Sequence, residues 1–408
     1  MAGLWRWLLE IEDALAFPPS ITEKSNELGI WLTDHALPLW WERGADHANG
    51  GFYEALDAAG DPVALPRRLH VQARQVYVYA NAGKVGWAGP WREAVTHGVD
   101  YLRRAYIRRD GLARASVDPL GHPIDDRTLL YGQAFTLLAL ASAYEVFPQE
   151  PQLRLAAIKL LERLQATQRT PQGAYLEITD QPFQANANMH MLEAMLAWIP
   201  LCDHPIWAQT ADRIAELALS NFIDGQGGFL REFFTATWSP KSGDDGRLVE
   251  PGHQFEWIWL LERWSGMRAR PEGLAPLAGL NAAGQRGIDA KRGVAINGLW
   301  DDLTIRDADA RLWPQTERIK AALTMARLAR ADFASYREEA VRAAMGLEAY
   351  FDMPVAGLWR DKWLCNGGFI DEPSPASSFY HIVCAILELK SAAAEPVAAP
   401  SIAHSPRR

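Results

Sequence analysis

Cysteine is scarce in this 408-residue chain, with Cys202, Cys365 and Cys384 as the whole complement. Three thiols so far apart cannot build a disulfide framework, and no two have the spacing of a zinc knuckle or a redox pair. A reducing cytoplasm is therefore the expected home. Long hydrophobic runs are missing as well, since no stretch of about 18 apolar residues occurs that could span a bilayer. The start, Met1 to Glu10, breaks its apolar residues with Arg6, so it reads as an amphipathic helix rather than a secretion signal. Positive charge is in deficit: 41 Lys and Arg against 50 Asp and Glu leave a formal charge of −9. That balance repels a polyanion and removes nucleic acid from the expected partners. Nor is there a Gly-x-x-x-x-Gly-Lys-Ser/Thr loop to cradle nucleotide phosphates.

What is present is an ordinary globular composition, 49% hydrophobic and 22% charged, which promises a large core. Tryptophan is abundant at 17 residues, and indole serves both as core filler and as a stacking surface for sugars. A short glycine-plus-aromatic or aliphatic element recurs after long helical stretches, anchored at Gly51, Gly111, Gly173, Gly228, Gly293 and Gly357. Six copies roughly every 60 residues leave room in each for two helices and two connections. Leu129 to Leu140 is apolar nearly all round, whereas Leu153 to Gln165 alternates apolar and charged faces. A buried helix paired with a half-exposed one, six times over, predicts an all-α fold. The expected architecture is an (α/α)6 barrel with short β-hairpins at one end. An open superhelix is the rival, disfavoured because the count is six and no terminal repeat carries a polar cap. The expected layout is one catalytic domain over 1–391 and a disordered tail over 392–408, rich in Ala, Pro and Ser.

Seven of the ten histidines, His35, His47, His70, His97, His122, His204 and His404, lie in or beside polar turns or in the tail and read as solvated surface. His190, His253 and His381 differ, because each falls near the start of an apolar helix that belongs to the inner ring. His253 follows the Pro251-Gly252 turn and is expected in the first helical turn. Glu256 stands at i+3, where it could hold one ring nitrogen and raise the basicity of the other. His190 and Glu193 repeat that spacing. Arg74, in Val71-Gln72-Ala73-Arg74-Gln75, is a guanidinium in an apolar helix and needs partners, either a structural ion pair or a ligand. Glu317, in Trp313-Pro314-Gln315-Thr316-Glu317, sits in the first turn of another helix, where its plain role is to stabilise the positive end.

Taken together, Arg74, Leu130-Tyr131-Gly132-Gln133-Ala134-Phe135, Asn188-Met189-His190 with Glu193, Pro251-Gly252-His253 with Glu256, Trp313-Pro314-Gln315-Thr316-Glu317 and Ser377-Ser378-Phe379-Tyr380-His381 resemble the N-acylglucosamine 2-epimerase superfamily. The likeness runs from about Trp31 to Leu389. It implies an (α/α)6 barrel that acts on the reducing end of a sugar by metal-free proton transfer at C2, with no cofactor. It further implies His253 and His381 as the acid/base pair. Arg74, Tyr131, Asn186, His190, Glu256, Trp313, Gln315 and Glu317 would surround a monosaccharide, in an enzyme whose relatives often form homodimers. Chain length and the Trp-Pro-Gln-Thr-Glu segment favour an aldose–ketose isomerase of the mannose/fructose type over a 2-epimerase. Arg67, Arg68 and Arg247 are the candidates to meet a phosphate, should the sugar carry one. Three rivals remain on the residues alone: a glycoside hydrolase using Asp301-Asp302, Asp125-Asp126 or Glu317, a zinc enzyme on His190, His253, His381 and Glu256, and a non-catalytic sugar-binding protein.

Overall fold

The computed structural model describes residues 19–395. The segment read as an N-terminal amphipathic helix and residues 396–408 of the tail lie outside that range.

Among the described residues, twelve long helices alternate between two rings. The inner ring is α2 (Leu69–Val85), α4 (Leu130–Val146), α6 (Ala185–Trp198), α8 (Pro251–Arg268), α10 (Trp313–Leu328) and α12 (Phe379–Ala394). The outer ring is α1 (Ile21–Ile30, carried on through a π-turn at Trp31–Ala36 into Leu37–Glu42), α3 (Trp91–Tyr101), α5 (Pro151–Thr167), α7 (Pro205–Leu217), α9 (Leu277–Arg286) and α11 (Phe333–Glu348). Each inner helix packs on the next, and α12 packs back on α2, so the ring is closed rather than superhelical.

The two helix types follow from their sequences. In α4 nearly every residue from Leu130 to Ala143 is buried, because an apolar surface all round needs neighbours on all sides. In α5 only Leu153, Ala157, Leu160, Leu161 and Leu164 are buried, a stripe at helical spacing that faces the inner ring. The last helix runs through Ala394 and buries Ala392, so the tail expected from 392 begins at least three residues later. Packing of that apolar turn outweighs the Ala-rich composition that suggested disorder.

The six glycine elements form short hairpins at one end. Their anchor glycines all have positive φ, from 69° at Gly228 to 98° at Gly173, a region open to glycine at little cost. One residue beyond Gly51, and two beyond each of the other five turn glycines, one buried side chain takes the N–H and C=O of a single residue. Gln72 holds Phe52, Gln133 holds Ala113, Asn188 holds Tyr175, Gln254 holds Leu230 and Gln315 holds Ala295, and the Ser374 hydroxyl does the same for Trp359. The amides sit at the third or fourth position of their inner helices, so five hairpins are tied to a helix start and the sixth, through Ser374, to the strand just before one. A seam between the first and last copies, Ala55–Leu56 antiparallel to Ser374–Pro375, closes the rim.

Removing one such amide leaves a buried N–H and a buried C=O without partners. Gln133→Ala is expected to cost about 3 kcal/mol, read as a lowered urea midpoint with an unchanged slope.

Candidate active site

Because every inner helix begins at the hairpin end, the side chains of their first two turns converge there. A cavity of about 200 Å³ opens among them, lined by Arg74, Tyr131, Asn186, His190, Glu250, His253, Glu256, Arg311, Trp313, Ser377, Ser378 and His381. Of the ten site residues expected from the sequence, eight line it. A second cavity of about 330 Å³, lined by Tyr77, Lys84, Glu193, Trp259, Arg263 and Glu388 among others, lies toward the C-terminal ends of the inner helices and contains no histidine.

The two exceptions are Gln315 and Glu317. Gln315 is expected at the sugar, but its amide is spent on the backbone of Ala295 and Arg311 and is fully buried, which makes it a scaffold residue. Glu317 is also fully buried; its Oε1 takes the Nδ1 proton of His381 at 2.9 Å. It therefore orients the imidazole from behind.

The expected pairing of His253 with Glu256 is replaced by another. His253 Nδ1 lies 2.9 Å from Glu232 Oε2 and 3.4 Å from Glu250 Oε2. Glu256 instead faces His190, at 3.9 Å, and neither of its oxygens has a hydrogen-bond partner among the described residues. The i+3 spacing does hold for His190, whose Nδ1 meets Glu193 at 3.0 Å. Glu232 comes from the hairpin before α8, 21 residues upstream, a distance helical periodicity does not reach.

These environments drive the two facing histidines apart. Burial would lower His253, but the carboxylates of Glu232 and Glu250 outweigh it and hold the imidazole at about 10. His381 goes the other way: burial, with the charges of Arg74 and Lys320, pushes it well below its ordinary value. Near neutral pH one ring is an imidazolium and the other a neutral base. Since Glu317 occupies Nδ1 of His381, the free lone pair is on Nε2. Burial and the neighbouring Glu317 push Glu256 well above the usual carboxyl range, so it is a neutral acid, and burial lifts Glu250 to about 7. The Trp313 indole lies against both rings, with centroids 5.0 Å from His253 and 5.8 Å from His381.

Arg74 is nearly fully buried, yet no carboxylate among the described residues lies within ion-pair distance of it. It donates to Ser377 O (3.0 Å) and Tyr131 Oη (2.6 Å) and lies over the Phe135 and Tyr380 rings. Of the two roles open to it from sequence, a structural ion pair is not formed. An uncompensated guanidinium facing a cavity is arranged for a negative charge that arrives with a ligand or develops on it.

The phosphate candidates are engaged elsewhere. Arg67 is buried against Asp46, Arg68 pairs with Glu54, and Arg247 pairs with Asp301 and Asp302. None of the three lines the cavity, whereas Arg311 does. Asp125, Asp126, Asp301 and Asp302 bind surface arginines, which removes these four as a hydrolase pair. His70 and His97, expected on the solvated surface, are half-buried, His70 against Tyr131 and His97 against Trp41 and Phe52. Glu232, Glu250 and Arg311 are the site residues that sequence reasoning left unassigned.

A closed (α/α)6 barrel with histidines and an arginine at the hairpin mouth is the frame that the resemblance to sugar isomerases and epimerases implies. Residues 51–385 match the profile of the N-acylglucosamine 2-epimerase (GlcNAc 2-epimerase) family, and the chain belongs to that family. It is 43% identical over 374 residues to the mannose-6-phosphate isomerase of Rhizobium meliloti, covering 90% of this chain and 97% of that protein. A D-mannose isomerase of Thermobifida fusca is 32% identical over 254 residues, 57% of this chain and 61% of that one. Among solved structures, the cellobiose 2-epimerase of Spirochaeta thermophila superposes with a TM-score of 0.82 at 21% identity, over 91% of this chain and 97% of its own. The protein is an enzyme, a sugar isomerase or 2-epimerase. No helix among the described residues is long and apolar enough to cross a membrane.

The His253–Glu232 pair is open to direct measurement. In the folded protein His253 should titrate near 10 by NMR. In Glu232→Gln the same resonance should titrate more than a unit lower, because the first of the two raising carboxylates has lost its charge.

Proposed function

We propose that the chain is an aldose–ketose isomerase of the mannose/fructose type, working through a cis-enediol by proton transfer between side chains and substrate, with no metal taking part. The observation that carries this is the opposite protonation of two imidazoles facing one cavity beside an unpaired guanidinium. Aldose–ketose isomerisation needs one base at C2, one acid at the carbonyl oxygen, and a positive group to steady the enediolate.

In this scheme Nε2 of neutral His381 takes the C2 proton, and its electron pair forms the C1–C2 double bond. His253 gives a proton to O1 as that bond forms. His381 then returns its proton to C1, while the O2 proton passes to His253 as the C2 carbonyl closes. Both imidazoles end as they began. Arg74 and Tyr131 would face the enediolate oxygens. Within the pair His253 and His381 only His381 is a neutral base, which favours isomerisation over 2-epimerisation, a reaction that needs protons delivered to both faces of C2.

Replacing His253 or His381 with Ala should lower kcat by about 10²–10⁴-fold without loss of the folded circular dichroism spectrum. The decisive assay is proton NMR in deuterium oxide with mannose. Fructose labelled at C1 is expected; glucose labelled at C2, without fructose, would replace the isomerase reading with an epimerase.

Whether the sugar carries a phosphate turns on Arg311. Its side chain is 45% exposed and only loosely held by Asp361, at 3.3 Å, so it can meet a charged group at the far end of a hexose. The name of the Rhizobium relative points the same way. If mannose 6-phosphate is the better substrate, Arg311→Gln should cut kcat/KM for it about 10–100-fold and leave mannose nearly unchanged. A preference for mannose that ignores this substitution would assign the free sugar.

A further inference from the structure

Two groups of potential metal ligands lie at the cavity and directly beneath its lining. One comprises His190, Glu193 and Glu256 and the other Glu256, Glu317 and His381, and within each the donor atoms lie within 4.8 Å of one another. Carboxylates and imidazoles this close are a donor set that a divalent ion such as zinc can use. Here a cation of the chain's own stands among them. Lys320 is fully buried, its Nζ is 2.5 Å from Glu317 Oε2, and it rests 4.0 Å over the Trp259 ring. Its direct partner is the Glu317 carboxylate, one turn earlier on the same helix.

We propose that Lys320 is a built-in counterion that closes the Glu193–Glu256–Glu317 cluster to divalent metal. A further feature agrees. The Nδ1 atoms of His190 and His381 are tied to Glu193 and Glu317, so neither offers a lone pair on that side. An ammonium provides one fixed charge with no open coordination position, so substrate hydroxyls meet imidazoles and Arg74 rather than a Lewis acid.

Removing the ammonium leaves carboxylates without a counterion, a condition that recruits cations. The experiment is zinc titration, with metal content measured after gel filtration, on the unaltered chain, Lys320→Met and Lys320→Ala, all first stripped with chelator. The unaltered chain should retain no stoichiometric zinc, and a folded variant should retain about one ion per chain. Stoichiometric zinc on the unaltered chain, or none on a folded variant, overturns the proposal. Should both variants fail to fold, Lys320→Gln, which keeps a hydrogen-bond donor near Glu317 without the charge, takes their place under the same criterion. The inference rests on the metal-free reading of the reaction only for its consequence. Metal content is read without substrate, so a failure to isomerise mannose would sink that reading and leave this one standing.

Discussion

A backbone residue held at both its N–H and its C=O by one buried side chain is the constraint on which the site depends. The rim hairpins are too short to be stable alone, since strands of two or three residues provide few ladder bonds. Gln72, Gln133, Asn188, Gln254, Gln315 and Ser374 bolt each hairpin to an inner helix start or to the segment just before it. The hairpins in turn carry Glu232 and Arg311 to the cavity. A positive-φ glycine two residues earlier turns the chain so that both polar atoms face the amide. Rim and helix ring are thus one rigid frame, which suits a reaction that needs proton donors and acceptors placed to within fractions of an ångström.

The same geometry sets the electrostatics. Inner helices that all start at the mouth direct their unsatisfied N–H groups toward the cavity, an environment favourable to negative charge. Within it, burial alone would make both His253 and His381 neutral. What separates them is the company of each ring. His253 has two carboxylates at its Nδ1 side, whereas Glu317 behind His381 is shared with Lys320, and Arg74 adds a second repelling charge. An acid and a base are thereby made from one residue type by the placement of counterions, not by exposure, since both rings are equally buried.

Much of this was legible in the sequence because the fold is periodic. Six glycine anchors at nearly even spacing predict six helix pairs, and the contrast between α4 and α5 separates inner from outer helices. The three histidines at apolar helix starts, Arg74, Tyr131, Asn186, Glu256 and Trp313 all line the cavity, since residues at equivalent heights in a closed ring must converge. What periodicity cannot see is a contact between different elements. The partner of His253 is on the preceding hairpin, not one turn along α8. Gln315 reads as a ligand beside Trp313 and Glu317, yet its place, near the start of an inner helix, is the clamp position already taken by Gln72, Gln133, Asn188 and Gln254. Arg67, Arg68 and Arg247 were drawn to a phosphate role by charge alone, and each already has an acid.

The repeat contains a signal that would have found Glu232. Two residues past each clamped backbone position the chain places Glu54, Ala115, Glu177, Glu232, Asn297 and Asp361. Four of the six are acids, and all four are buried. Glu54 accepts from Arg68 N and Glu177 from the N–H groups of Leu130 and Tyr131, so in the first and third copies the acid caps an inner helix. In the fourth and sixth copies it has turned to the cavity, Glu232 onto His253 and Asp361 onto Ser378 and Arg311. One structural position therefore serves both purposes. A buried carboxylate aimed at a helix start needs a positive partner, and it is satisfied equally by backbone N–H groups or by an imidazolium that has come to occupy the same first turn. The charged form of His253 then follows from a capping position repeated around the barrel, with an imidazole in place of the amide protons.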